Sequence, residues 1–142
     1  MVKLEPEVKV LDIDGMSFRD LNKNNELDQY EDYRLDTAQR VEDLISQMTL
    51  EEKVGTLFHP PVTINPDWMF RLYSLFVDGG KLTESEIINQ HINHFNLYGN
   101  PKPERLAKRL NNLQKIASRS RLGIPVTISS DPIHEVPNGG GV

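Results

Sequence analysis

An α/β fold is predicted for this chain of 142 residues, on three observations. Amphipathic helical stretches alternate with short runs rich in β-branched residues, which is the order of parallel β/α units. The last such run, Ile124 to Ile128, ends in a cluster of polar residues, and α/β barrels place their sites at the carboxyl ends of strands. A hairpin pattern and an oxygen-rich loop come before either. The chain therefore divides into residues 1–35, hairpin and loop, and residues 36–142, the first β/α units.

Composition narrows the function classes. An apolar content of 37% with 26% charged residues is enough to bury a core. A formal charge of -5 argues against a nucleic-acid partner, which would require a basic stripe. There is no cysteine, so no disulfide framework, thiolate metal site or cysteine nucleophile is available. The opening MVKLEPEVKV lacks the apolar core of a signal peptide, and no segment approaches the roughly 18 apolar residues of a membrane span.

Taken in order, Val8, Val10 and Ile13 alternate around Asp14-Gly15, a turn dipeptide, and predict a hairpin leading into the loop. The loop is Asp20 to Glu31, DLNKNNELDQYE. A twelve-residue calcium loop uses side-chain oxygens at positions 1, 3 and 5, a backbone carbonyl at 7, often a water at 9, and a bidentate Glu at 12. Those positions are Asp20, Asn22, Asn24, Glu26, Asp28 and Glu31. Position 6, usually Gly, is Asn25, which tolerates the left-handed backbone better than most residues. A structural Ca2+ is the expected cofactor. The competing reading is an Asx-rich turn that holds the same shape without metal.

Asp36 or Thr37 caps a helix in which Val41, Leu44, Ile45 and Met48 form one stripe expected to be buried. Thr49 and Glu52 make a capping box for a second helix from Leu50, with Val54, Leu57 and Phe58 expected inward and Pro60-Pro61 ending it. Residues 59–82 read as a long excursion with one helical turn near Trp68 to Phe76. Thr83 and Glu86 form another capping box, before a helix carrying Ile87, Ile88 and Ile92. A strand over His94 to Leu97 follows. Pro103 suits a first helical position, and Leu106, Leu110, Leu113 and Ala117 mark a helix to about Ser120, with Gly123 as its C-cap. Ile124 to Ile128 is then a buried strand that delivers Ser129, Ser130, Asp131, Pro132, Ile133 and His134.

Asp131 and His134 are the candidate binding pair. A strand-end carboxylate accepts hydrogen bonds from two adjacent sugar hydroxyls and so holds a neutral polyol in one orientation. The alternative is an Asp capping the next turn with a His packed beside it. His91 and His94 lack a third ligand and read as structural. Trp68, Phe70, Tyr73 and Phe76 are either core or the stacking wall of a sugar subsite.

Several of these stretches are similar to one family. Arg40 to Gly55, RVEDLISQMTLEEKVG, resembles the opening of family-3 glycoside hydrolases, the β-glucosidase and β-xylosidase group. So do LAKRLNNLQ, Leu106 to Gln114, and the segment Ser120 to Val126, while Asp131-Pro132-Ile133-His134 resembles the family's D-x-x-H-G motif, with Glu135 in place of the Gly. The calcium-type loop is similar to one in a bacterial branch of the family. The resemblance implies a (β/α)8 TIM barrel and a retaining mechanism, in which an Asp nucleophile forms a glycosyl-enzyme and a second residue, usually Glu, acts as acid and base. It implies that Asp131 and His134 bind the sugar of an oligosaccharide or β-glucoside substrate. It also implies a periplasmic or secreted setting.

A complete barrel of this type needs about 250 residues, so the chain is expected to supply only its N-terminal part, with the remaining barrel and C-terminal domains as partners. The nucleophile and the acid/base residue are expected elsewhere, so no catalytic residue is assigned within this chain and it is expected to be inactive alone. The rival reading is a calcium-ordered, dockerin-like module that recognises a partner protein.

Overall fold

The computed structural model describes residues 8–63, 81–98 and 103–130. Strands β1 (Lys9–Ile13) and β2 (Met16–Asp20) form the expected antiparallel hairpin, with Leu11 opposite Phe18 and Ile13 opposite Met16. Asp14 and Gly15 both have positive φ, 54° and 74°, as a type I′ turn requires. The alternation falls differently from the sequence reading. Leu11 and Ile13 take the inner face with the buried Phe18, whereas Val10 is 63% exposed. The hairpin's apolar anchor is Phe18, stacked on Tyr33 at 4.8 Å between ring centroids, with the Arg34 guanidinium 4.9 Å from its ring centre.

Helix α1 (Thr37–Gln47) begins at Asp36, whose carboxylate accepts the Ala38 and Gln39 backbone N–H groups. Its expected buried stripe is not buried: no residue of α1 is, and Val41 and Ile45 are exposed. The face turned to the protein is polar instead. Arg40 donates to the Tyr30 carbonyl at 3.1 Å, Asp43 accepts the Tyr30 N–H at 3.0 Å, and Gln47 donates to Asp28 at 3.1 Å. These three residues lie at i, i+3 and i+7, one helical face.

Helix α2 (Leu50–Gly55) carries the predicted capping box, with Thr49 and Glu52 exchanging both hydrogen bonds. Here too the inward side differs from expectation. Leu50, Val54, Leu57 and Phe58 are exposed, while Glu52 and Gly55 are buried. Gly55 sits so close to the next turn that a Cβ would lie 2.5 Å from the His91 carbonyl oxygen, so only glycine fits. Glu52 is held by Arg121, from Nε at 2.9 Å and from Nη2.

Three parallel strands, β3 (Pro61–Thr63), β4 (His94–Tyr98) and β5 (Thr127–Ser130), form a sheet in sequence order. The sequence reading missed β3, because Pro60-Pro61 reads as a break and only Val62 is strongly apolar. Pro61 pairs with Asn96 and Asn96 with Ser129. Helices α3 (Lys81–Asn89) and α4 (Pro103–Ala117) supply Ile87, Leu113, Ile116 and Ala117 to a core with Val62, Phe95, Leu97 and Val126. Burying each large apolar side chain there stabilises the fold by about 1.5–3 kcal/mol.

Four boundaries move. Helix α3 starts at Lys81, so Thr83 lies inside it, and Ile92 falls beyond its end and is buried in the core. Pro103 does open α4, but that helix stops at Ala117. Gly123, at φ 59°, therefore shapes a turn six residues later and is not the helix cap. The β5 ladder begins at Thr127, because the Gln114 carboxamide occupies both the N–H and the carbonyl of Val126, at 3.0 and 2.7 Å. Among the described residues no helix is long and apolar enough to cross a membrane. The helical turn expected near Trp68 to Phe76, with its aromatic group, lies outside the described residues.

Candidate functional site

The calcium-type loop starts where β2 ends. Strand alternation puts Asp20 on the same buried side as Phe18, and its side chain is 0% exposed. Its Oδ2 accepts the Asn25 N–H at 3.1 Å, and its Oδ1 is buried with no hydrogen-bond partner among the described residues. A buried carboxylate oxygen without a partner is costly unless a cation or donor completes it. Asn25 has φ 65°, so the position-6 substitution keeps the left-handed turn that Gly usually provides.

The rest of the ring is built from Asx turns. The Asn22 side-chain oxygen accepts the Asn24 N–H at 3.1 Å, and the Asn24 oxygen accepts the Glu26 N–H at 2.7 Å. Both amide nitrogens point at Asp28 Oδ2, at 2.7 and 2.8 Å. Glu31 closes the ring: Oε1 accepts from Leu21 N–H at 2.6 Å and from Asn22 N–H at 3.3 Å, and Oε2 from Asp28 N–H at 3.2 Å. Burial pushes the Glu31 carboxyl above its ordinary range, against the pull of those backbone N–H groups. The Glu26 side chain is exposed, which fits a position that would offer its backbone carbonyl.

Among the described residues no three acidic or imidazole side chains gather tightly enough to hold a metal by themselves. The loop's candidate donors are instead mixed, with Asp20, Asp28 and Glu31 alongside the amide oxygens of Asn22 and Asn24. That all-oxygen set, with one buried oxygen lacking a partner among the described residues, fits a hard cation such as Ca2+. The Asx turns at Asn22 and Asn24 themselves shape the loop's backbone.

The loop docks on the turn that precedes β5. Lys23 donates to the Ser120 carbonyl at 2.7 Å, and the buried Tyr30 hydroxyl donates to the Leu122 carbonyl at 3.3 Å. Burial and the neighbouring Glu31 raise the Tyr30 hydroxyl's pKa, which keeps it a neutral donor. A Cβ on Gly123 would lie 2.7 Å from the Leu21 carbonyl oxygen.

Asp131 and His134, the sugar-binding pair of the sequence reading, lie outside the described residues. The strand that leads to them is described, and it reveals residues that sequence reasoning missed as a group. On the sheet face turned away from the helices, Ser129 Oγ lies 2.9 Å from His59 Nε2 and donates to Asn96 Oδ1 at 3.3 Å. The two histidines His59 and His94 meet edge to face at 6.5 Å. Ser129 was visible as part of the strand-end cluster, but His59 and Asn96 carry no motif, and only the parallel register brings them beside it.

No family model matches the chain. Individual proteins do. It is 37% identical over 127 residues to the periplasmic beta-glucosidase/beta-xylosidase of Dickeya chrysanthemi, covering 87% of this chain and 18% of that protein. It is 44% identical over 98 residues to beta-glucosidase C of Emericella nidulans, covering 68% and 15%. It is 35% identical over 118 residues to the probable beta-glucosidase C of Aspergillus oryzae, covering 79% and 17%. The chain thus spans less than a fifth of the length of these relatives, and most of it is homologous to a region of proteins named as β-glucosidases.

Proposed function

We propose that this chain is the N-terminal part of the barrel of a retaining, family-3-type β-glycosidase, acting on terminal β-linked glucosyl or xylosyl residues in a periplasmic or secreted setting. The observation that carries the reading is the 35–44% identity to proteins named as β-glucosidases over 68–87% of the chain. The sheet supports it: three parallel strands lie side by side in sequence order, as the opening strands of a (β/α)8 barrel do. Within the complete protein, Asp131 accepts hydrogen bonds from two adjacent hydroxyls of the sugar, with His134 beside it, and so fixes the ring relative to a nucleophile carried elsewhere in the protein.

The loop is proposed to hold a structural calcium through Asp20, Asn22, Asn24, Glu26, Asp28 and Glu31. When bound, the ion would offset two of the three negative charges of Asp20, Asp28 and Glu31 and add no catalytic chemistry. This chain's residues do the rest, since the loop clamps the turn that leads into β5.

The test is Asp131→Asn in the full-length protein, assayed on aryl β-glucosides and β-xylosides. Two charge-assisted hydrogen bonds at ~1.5 kcal/mol each correspond to a loss of about a hundredfold in kcat/KM, with the melting temperature nearly unchanged. Undiminished activity in the variant reassigns Asp131 to the turn. A full-length wild type that binds calcium but hydrolyses no glycoside favours the dockerin-like interaction module.

A further inference from the structure

We propose that the apolar groove between helix α2 and the end of helix α3 is the seat of an apolar surface carried by a later part of the same polypeptide, so that Leu50, Val54 and Phe58 are interface residues of the full-length protein. The inference deepens the glycosidase reading and rests on it for the identity of that later part, the remaining β/α units.

The groove has a volume of about 360 Å3 and is lined by Leu50, Val54 and Phe58 from the α2 stretch and by Gln90, His91 and Ile92 from the residues that follow α3. Leu50 is 72% exposed and Phe58 56%, and Val54 and Leu57 are exposed beside them. Large apolar side chains exposed singly are ordinary, but four within one short stretch, around one groove, mark a surface that another surface covers. Helix α2 cannot turn to bury them, because its other side is fastened. Glu52 is held by Arg121, and Gly55 packs so close to the His91 carbonyl oxygen that even a Cβ would not fit. Rolling the helix would break the Glu52 pair and drive a side chain into that carbonyl. This chain's own contacts therefore hold the apolar face outward.

Three observations identify the occupant. Among the described residues no Arg or Lys lines the groove, so an anionic ligand finds no counter-charge there, whereas an apolar surface finds Leu50, Val54, Phe58 and Ile92. Strand β3 begins at Pro61, just after Phe58, and pairs on one side with β4, while its other edge carries no strand among the described residues. An open edge on a parallel sheet is unfavourable, and a further parallel strand added there brings its crossover helix to the same side of the molecule as α2. One later β/α unit can thus cover both the β3 edge and the groove. Finally, the chain spans less than a fifth of the length of its relatives, so ample polypeptide lies beyond it to supply that unit.

The experiment measures maleimide labelling of Leu50→Cys and Phe58→Cys in the full-length protein, located by peptide mass, with Val10→Cys on the exposed side of the hairpin as reference. The expected result is that both groove thiols react about tenfold more slowly than the reference at every protein concentration, and as fast as the reference in denaturant. Labelling at the reference rate in the folded protein overturns the cover, while hydrolysis of an aryl β-glucoside by the same preparation leaves the glycosidase reading intact. Slow labelling in a protein that hydrolyses no glycoside supports the cover and tells against the hydrolase reading. Protection that disappears on dilution, as the measured mass falls by half, shows a second copy in the groove and overturns the inference. Hydroxyl-radical footprinting of the wild-type protein gives a second readout that needs no variant. Phe58 oxidised about tenfold more slowly in the native than in the denatured protein supports the cover, and a native rate about half the denatured one, as its exposure in this chain dictates, overturns it.

Discussion

The calcium-type loop and the α1–α2 helix pair follow local sequence rules equally well, yet the loop keeps the local form its pattern suggests while the helices turn out a face that the pattern placed inside. In the loop, the turn at Asn25 takes the expected positive φ, and Asp20 and Glu31 prove to be buried. In the helices, both predicted caps form, but the apolar stripe of Val41, Ile45, Val54 and Phe58 is exposed. The loop's turns are shaped by its own side chains, through the Asn22 and Asn24 oxygens and Glu31, whereas an apolar stripe becomes core only when another surface covers it. The faces of α1 and α2 that do make contact are polar or small: Arg40, Asp43 and Gln47 on the loop, Glu52 on Arg121, and Gly55 against His91.

The largest expected effect tests the loop's side of this contrast. Calcium at a thousandfold excess over its Kd is expected to stabilise the native protein by about 4 kcal/mol, seen as a raised melting temperature. Asp20→Asn, which removes the charge from the carboxylate with the buried unpartnered oxygen, is expected to abolish most of that rise. Identical melts of the wild type in calcium and in chelator would remove the ion from the loop.

Next in size is the seam between the loop and the turn before β5. Gly123→Ala puts a Cβ 2.7 Å from the Leu21 carbonyl oxygen at a φ of 59°, and is expected to cost about 1–3 kcal/mol in chemical denaturation. A loss near zero would mean that the loop and turn are not in rigid contact.

The Glu52–Arg121 pair gives a smaller, pH-dependent signal. Burial raises the Glu52 pKa, but the Arg121 hydrogen bond and the Thr49 N–H outweigh it and leave the carboxyl below its ordinary range. Because the folded value is depressed, this stabilisation is fully present above the unfolded glutamate pKa of about 4.3 and is lost as pH falls through the folded value. Glu52→Gln is therefore expected to flatten that part of the stability profile measured between neutral and acidic pH. A profile unchanged by the substitution would show that the pair contributes nothing to acid sensitivity.

The smallest effect belongs to the exposed stripe. Val41→Ser is expected to change the stability of this chain by less than about 0.5 kcal/mol, since Val41 is 47% exposed. A thermal or denaturant loss of several times that size would mean that Val41 is covered, and the contrast between loop and helices would narrow.

How much of the molecule was legible followed the range of the interactions. The turn at Asp14-Gly15, the Asp36 cap and the Thr49–Glu52 box are set by residues within four positions of one another, and sequence spacing displays them directly. Strand β3 was hidden because two prolines interrupt its pattern and its pairing partner, Asn96 to Tyr98, lies more than thirty residues away. The His59–Ser129–Asn96 row was illegible for the same reason, since its members come from three stretches of chain that only the parallel register aligns.

By itself the sequence determined the α/β class, the hairpin, the left-handed turn at Asn25 and the helix starts at Asp36, Thr49 and Pro103, because backbone sterics and short-range hydrogen bonds act over a few residues. Tertiary structure alone decided which helix faces were covered, where β5 begins, and that Gly123 accommodates the calcium-type loop and does not end a helix. Those outcomes depend on which distant surfaces meet, and burial is a property of the pair of surfaces, which no local pattern contains.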